Sequence, residues 1–362
     1  MSDEDRLENL LGEAYGMDNG SAKVQLLEEA VKLADAVQDV YMAFYARMQF
    51  TEAATLSGRS ERLMTSFSWC LAKYKESPEE FEEYGYDLLW QFKWVAGGIS
   101  TFPHVSGEEF QGLLGQMKEM YQSHGYGMRP IHYTHFLHLC DIGDFTKAGE
   151  LLKVWENCPP DDMEDCSACE ADSMVTYYAE IDQPDAALEK ARDILSGDET
   201  CAEVPHITYS TLLRCLAQLN RYDEADEFHA KDYRLIRRNP EFLRQVAEHI
   251  GYLTHRGNIS KAVSLLEKHI GWISGTFEMI PRYYFLTAAT NLLEKLGEGK
   301  KKLKLPAEFE RHEESGHYDL PQLAQWFRDE RDELGKAFDK RNENDYYSRR
   351  IVEMLNYDGV GL

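Results

Sequence analysis

The chain has 362 residues, with 39 lysines and arginines against 64 aspartates and glutamates, a formal charge of −25. That field opposes non-specific binding to nucleic acid or anionic lipid, because phosphate contacts need lysine and arginine. Hydrophobic residues at 43% supply a sizeable core, no stretch approaches the ~20 apolar residues of a membrane span, and the acidic start MSDEDRLENLL is unlike the basic opening of a secretory signal. A cytoplasmic protein without nucleic-acid or membrane partners is expected.

Apolar residues recur at helical spacing along residues 5–37, 39–76 and 79–124, and each stretch is expected to form a helical hairpin. Ser77-Pro78-Glu79-Glu80 and Ser106-Gly107-Glu108-Glu109 read as capped helix starts, and Asn239-Pro240 opens a later helix in the same way. Phe81, Tyr84, Leu88, Phe92 and Val95 form one apolar stripe, and Tyr86, Trp90 and Trp94 a second. A helix apolar on two sides is expected to be buried between neighbours. The alternative is that the second stripe anchors a partner.

From residue 125 a repeat emerges. Gly143-Asp-Phe-Thr-Lys-Ala148, Asp182-Gln-Pro-Asp-Ala-Ala187, Asn220-Arg-Tyr-Asp-Glu-Ala225 and Gly257-Asn-Ile-Ser-Lys-Ala262 are polar turns ending in alanine, and the alanines lie 39, 38 and 37 residues apart. Apolar runs at helical spacing flank each turn. The reading is helix, tight turn, helix, with the alanine where two antiparallel helices approach closely. One pair cannot cover its own apolar face, so neighbours must stack. After residue 297 the pattern breaks. Asp319 is expected to cap a long charged helix running to about Leu355, which covers the open end of the stack. The expected organisation is 1–124 irregular hairpins, 125–296 repeats, and 297–362 linker and capping helix, with almost no sheet.

The turn-plus-alanine pattern resembles the tetratricopeptide repeat superfamily, at a spacing longer than its usual ~34 residues. Ile207-Thr-Tyr-Ser-Thr-Leu-Leu213 also resembles the pentatricopeptide repeat, which reads single-stranded RNA. The resemblance implies an all-α fold, a right-handed α-solenoid of stacked hairpins whose first helices line a concave groove for a protein or peptide. Aligned with that motif, the groove positions are Tyr133, Leu137, Asp172, Thr176, Ser210, Arg214, Glu248 and His255.

Seven cysteines remain. Cys70, Cys140 and Cys215 fall in apolar helical runs and read as small core residues. Cys158, Cys166, Cys169 and Cys201 lie in polar loops of adjacent repeats. Their Cys-x-x-Cys spacing suits two thiolates on a tetrahedral zinc, with Cys201 a third ligand and Cys158 or His206 a fourth. A disulfide and unlinked thiols are the alternatives. His132, His135 and His138, spaced by three, and the His312/His317 loop are weaker metal candidates. Phosphate loops, dinucleotide fingerprints and nucleophile elbows are absent from the sequence. A non-enzymatic binding scaffold, with a possible structural zinc, is therefore expected. A metal-dependent enzyme using the cysteine and histidine loops, or a single-strand RNA reader, is the alternative.

Overall fold

A computed structural model describes residues 2–57 and 63–361. Among them the chain is all-α apart from one two-stranded ribbon. By packing it divides into two units, residues 1–135 with 155–163, and residues 136–154 with 164–362. Residues 297–362 pack in the same unit as 164–296.

The first unit contains α1 (Asp3–Tyr15), α2 (Ser21–Val37), α3 (Val40–Thr55), α4 (Leu63–Glu76), α5 (Gly85–Gly98) and α6 (Gly107–Ser123). They pair as the hairpin reading requires, α1 on α2, α3 on α4 and α5 on α6. The turn of the second hairpin, residues 58–62, lies outside the described residues. Ser106 and Glu109 form the expected capping box. Ser77-Pro78 does not open a helix. Residues 78–81 form a turn, with Glu80 N donating to Ser77 O, and α5 starts only at Gly85. The proline preserves helical φ but removes a donor, and a 3-10 turn at Glu82–Tyr84 then leads into α5. The first aromatic stripe is core: Phe81 stacks on Phe44 at 4.2 Å and Phe92 packs edge-on to Phe67 at 4.9 Å. The second is only partly covered. Tyr86 is 49% exposed and stacks on Trp90, and the Lys93 ammonium sits 3.5 Å from the Trp90 ring while donating to Met163 O at 2.7 Å.

The repeat region begins with α7 (Arg129–Asp141) and α8 (Phe145–Glu156), within which the division of the units falls. The second unit continues with α9 (Ser167–Glu180), α10 (Pro184–Lys190), α11 (Arg192–Ser196), α12 (His206–Gln218), α13 (Tyr222–Ile236), α14 (Leu243–His255), α15 (Ile259–His269) and α16 (Met279–Leu296). The four turns are built alike. Gly143, Asp182, Asn220 and Gly257 all adopt left-handed backbone, with φ of 77°, 55°, 57° and 70°. The next amide in each case donates back five residues, Asp144 to Leu139 O, Gln183 to Tyr178 O, Arg221 to Leu216 O and Asn258 to Leu253 O, at 2.8–2.9 Å. This Schellman closure satisfies helix-end carbonyls and needs a residue that tolerates positive φ, which is why only glycine, asparagine and aspartate stand there. The four alanines are fully buried. Successive first helices pack on one another, α9 on α12, α12 on α14 and α14 on α16.

Strands β1 (Lys300–Lys302) and β2 (His317–Asp319) then pair antiparallel, with Lys301 opposite Tyr318. Asp319 caps α17 (Leu320–Asn342), accepting from Gln322 N at 3.1 Å, and α17 packs along α16. The helix stops at Asn342, not near Leu355. Glu343 turns left-handed at φ 55°, Asn344 Oδ1 accepts from Tyr346 N, and the Asp339 carboxylate accepts from the amides of Tyr347 and Ser348. Asn and Asp side chains thus offer the backbone partners that compete with the helix. One wide turn at Tyr346–Ile351 leads into α18 (Val352–Asn356).

Candidate functional site

Of the eight groove positions, Tyr133 lies in the first unit, buried with its ring 4.9 Å from Trp155. The other seven lie in the second unit. Asp172 is buried and accepts from the Thr208 hydroxyl at 2.5 Å, and burial raises its carboxyl to about 7. Ser210, Arg214 and Glu248 line a cavity of about 40 Å³ that Leu355 and Tyr357 close from the other side. The His255 ring stacks on Tyr357 at 4.6 Å. Thr176 borders a second cavity of about 20 Å³ beside Tyr346 and Tyr347, and Leu137 is half-buried. The expected groove positions of the last pairs therefore face the C-terminal segment of this same chain.

That segment is held at the ends of the first helices, where carbonyls lack intrahelical partners. Asn344 donates to Ile142 O at 2.7 Å and Tyr347 Oη to Asp141 O at 2.9 Å, both at the end of α7. Arg350 donates to Glu180 O at 2.6 Å and pairs with Asp182 at 2.8 Å, a cation at the C-terminus of α9. Asn291 of α16 donates to Leu355 O, and Tyr222 of α13 donates to Gly361 O. Below this strap the Glu180 carboxylate is a hub. It accepts from Tyr346 Oη at 3.0 Å, from Tyr284 Oη at 3.4 Å and from Arg244 at 3.4 Å, and Arg244 also reaches Glu248 at 3.3 Å. Burial pushes both phenols well up, so they stay protonated donors.

The cysteine loops come together in part. Cys166 is the N-cap of α9, its sulfur accepting from Cys169 N at 3.4 Å. Cys166 and Cys169 Sγ lie 3.2 Å apart, Cys169 and Cys201 Sγ 3.5 Å, and all three sulfurs fall within 4.8 Å of one another. Cys201 is held in its loop by its amide on Val204 O at 3.1 Å. Burial, then the neighbouring sulfurs, push the Cys169 thiol up. Among the described residues this is the one group of Cys, His, Asp and Glu side chains compact enough to hold a metal ion, and its soft donors fit a thiophilic one. Cys158 is not in it. It belongs to the first unit, where its carbonyl faces Arg129 at 3.4 Å. Cys70 and Cys215 are buried, and burial raises both thiols to about 12; Cys140 is half-buried. The histidines at 132, 135 and 138 form no such group, and His312 and His317 bond locally to Leu305 O and Ser315 O.

No known family model matches the chain, and no curated protein is similar to it. No helix among the described residues is long and apolar enough to cross a membrane.

A buried polar chain escaped the sequence reading. Asp232 and His249 are fully buried and bonded at 2.8 Å, and His249 Nδ1 meets His229 Nδ1 at 2.9 Å. Nearby, Tyr233 Oη bonds His269 Nε2 at 3.1 Å. Burial raises the Asp232 carboxyl to about 8 and lowers His249 to about 4. The available signal was a polar residue on a core face: His229 and Asp232 lie on the same face of α13 as Ala225 and Ile236.

Burial also lowers His229 to about 3 and His269 to about 4, against 6.5 in the unfolded chain. Below 6.5 the unfolded chain takes up protons that these folded imidazoles refuse. Their contribution is therefore full above pH 6.5 and is lost as pH falls toward 4. Asp172 and Asp232, with raised values, act in the opposite sense. Comparing His269→Gln with the parent isolates the histidine. Its denaturant stability is expected to fall less steeply between pH 7 and 5, by on the order of 1 kcal/mol. Parallel pH profiles would refute the assignment.

Proposed function

We propose that the protein is a non-enzymatic, tetratricopeptide-like scaffold that binds a protein or peptide segment along its first helices. One observation carries the reading: those helices already hold a peptide, residues 343–361, by helix-end carbonyls, the Glu180 hub and the Asp182 carboxylate. The four identical turns with buried alanines support the superfamily resemblance, and with it a right-handed solenoid. The favoured partner presents a tyrosine hydroxyl, an arginine four residues on and apolar side chains beyond, as Tyr346, Arg350 and Leu355 do. Rigid stacked helices display the contacts, with no covalent chemistry. In the same reading the Cys166/Cys169/Cys201 cluster holds a structural zinc that ties the start of α9 to the loop before α12.

The test is a labelled peptide of sequence 343–362 titrated against the full chain. Weakening the resident segment with Tyr346→Phe and Arg350→Ala is expected to tighten peptide binding at least ~10-fold relative to the parent, since each substitution removes a polar anchor worth ~1–2 kcal/mol. Equal binding by both proteins, or none, refutes the reading.

A further inference from the structure

The three clustered sulfurs leave a tetrahedral ion one ligand short, since structural zinc sites are closed by four. Cys158, which the sequence allowed as the fourth, is not in the group. His206 is in the right loop. It follows Cys201 by five residues and opens α12. Its Nδ1 is buried without a hydrogen-bond partner, an orphaned polar atom of the kind that calls for an explanation. The ring is held flat against Phe242, with planes 4° apart and centroids at 5.6 Å. An imidazole has two nitrogens. Histidines that bind metals give one to the ion and the other to a carboxylate or carbonyl.

The geometry points to His206 as the fourth ligand of a Cys166–Cys169–Cys201–His206 zinc site. The inference rests on the zinc reading of the cluster. In this structure His206 stands outside the 4.8 Å sulfur group, so the ion draws the ring toward the sulfurs as it binds. Coordination by neutral imidazole and three thiolates releases the thiol protons and leaves a net charge of −1 at the site. A zinc ion here joins the N-terminal ends of α9 and α12, the two first helices whose far ends carry Glu180, Asp182 and Arg214. It stiffens the opposite edge of the same pair that holds the C-terminal segment.

The experiment uses the full chain, reduced and loaded with Zn²⁺ or Co²⁺. Affinity is read by competition with a chromophoric chelator and ligation by the cobalt spectrum. The parent is expected to bind one ion with tetrahedral bands and sulfur-to-cobalt charge transfer for three thiolates. His206→Ala is expected to weaken binding ~100-fold and to perturb the cobalt bands. Cys158→Ser is expected to change neither. His206→Cys restores tight binding and raises the charge-transfer intensity by about one third, as a fourth thiolate requires. This variant reports even if the alanine variant folds poorly. If His206→Ala keeps parental affinity and spectrum, or if Cys158→Ser weakens binding, the assignment of the fourth ligand falls while the zinc reading stands. If the parent binds neither ion, both fall.

Discussion

Replacing Glu180 with alanine is expected to cost about 3 kcal/mol of unfolding free energy. The carboxylate is 4% exposed and takes hydrogen bonds from two phenols and one guanidinium. Its removal leaves Arg244 with Glu248 as its one carboxylate partner, and leaves the buried hydroxyls of Tyr284 and Tyr346 without that acceptor. The damage then spreads, because Tyr346 begins the strap that crosses the helix ends. Glu180→Gln keeps an acceptor and the volume but loses the charge, and is expected to cost about half as much. Urea unfolding of the three proteins, with limited proteolysis of residues 343–361, separates the two steps. A loss below ~1 kcal/mol for the alanine variant, with the C-terminal segment still protected, would show that the hub is not what holds the strap.

The second large effect compares two turns of the same design. Gly143 and Gly257 occupy the same left-handed position, yet their surroundings differ. A Cβ on Gly143 would stand 2.4 Å from Tyr346 Cγ, whereas none of the surroundings comes within 4 Å of one on Gly257. Gly257→Ala is therefore expected to cost about 1 kcal/mol, the left-handed penalty alone. Gly143→Ala adds the clash to that penalty, and about 3 kcal/mol or more is expected. Thermal unfolding of both variants checks it. Equal losses would mean that Tyr346 yields freely and that the strap is loosely seated at its first anchor.

These two turns also show what a sequence can disclose. The repeat was legible because a left-handed backbone and a close helix crossing each demand a particular residue type, so Gly, Asn or Asp and then Ala recur at fixed intervals. The N-terminal hairpins were legible from periodicity alone. The end of α17 was misplaced because the side chains of Asp339 and Asn344 compete for the backbone locally, and a charged run hides that competition. Ser77-Pro78 misled in the opposite way, a start signal placed well ahead of the helix that follows it. The cysteine cluster was legible in three members, since Cys-x-x-Cys spacing is a local fact. That Cys158 stands outside the group is visible only in the folded chain. The strap left no trace in the pattern. Asn344 meets Ile142 across 202 residues, and Arg350 meets Glu180 across 170. Contacts at such separations carry no period. The buried histidines were invisible for a simpler reason: one polar residue on an apolar face looks like noise until its partner is seen.

The strap has a consequence for cooperativity. In a row of helix pairs each pair feels only its neighbours, so melting can start at one end and travel. Here residues 344–361 touch the ends of α7, α9, α14 and α16 directly, so an early pair and a late pair share the same fastening. Fraying from either side must first undo that fastening, and the unit should melt as a block. The same wiring sets the order of events at the ribosome. The helices from 136 to 296 emerge first and wait, half-clothed, until residues 343–361 are made. A chain stopped before residue 343 would have those helix pairs written and their closure missing.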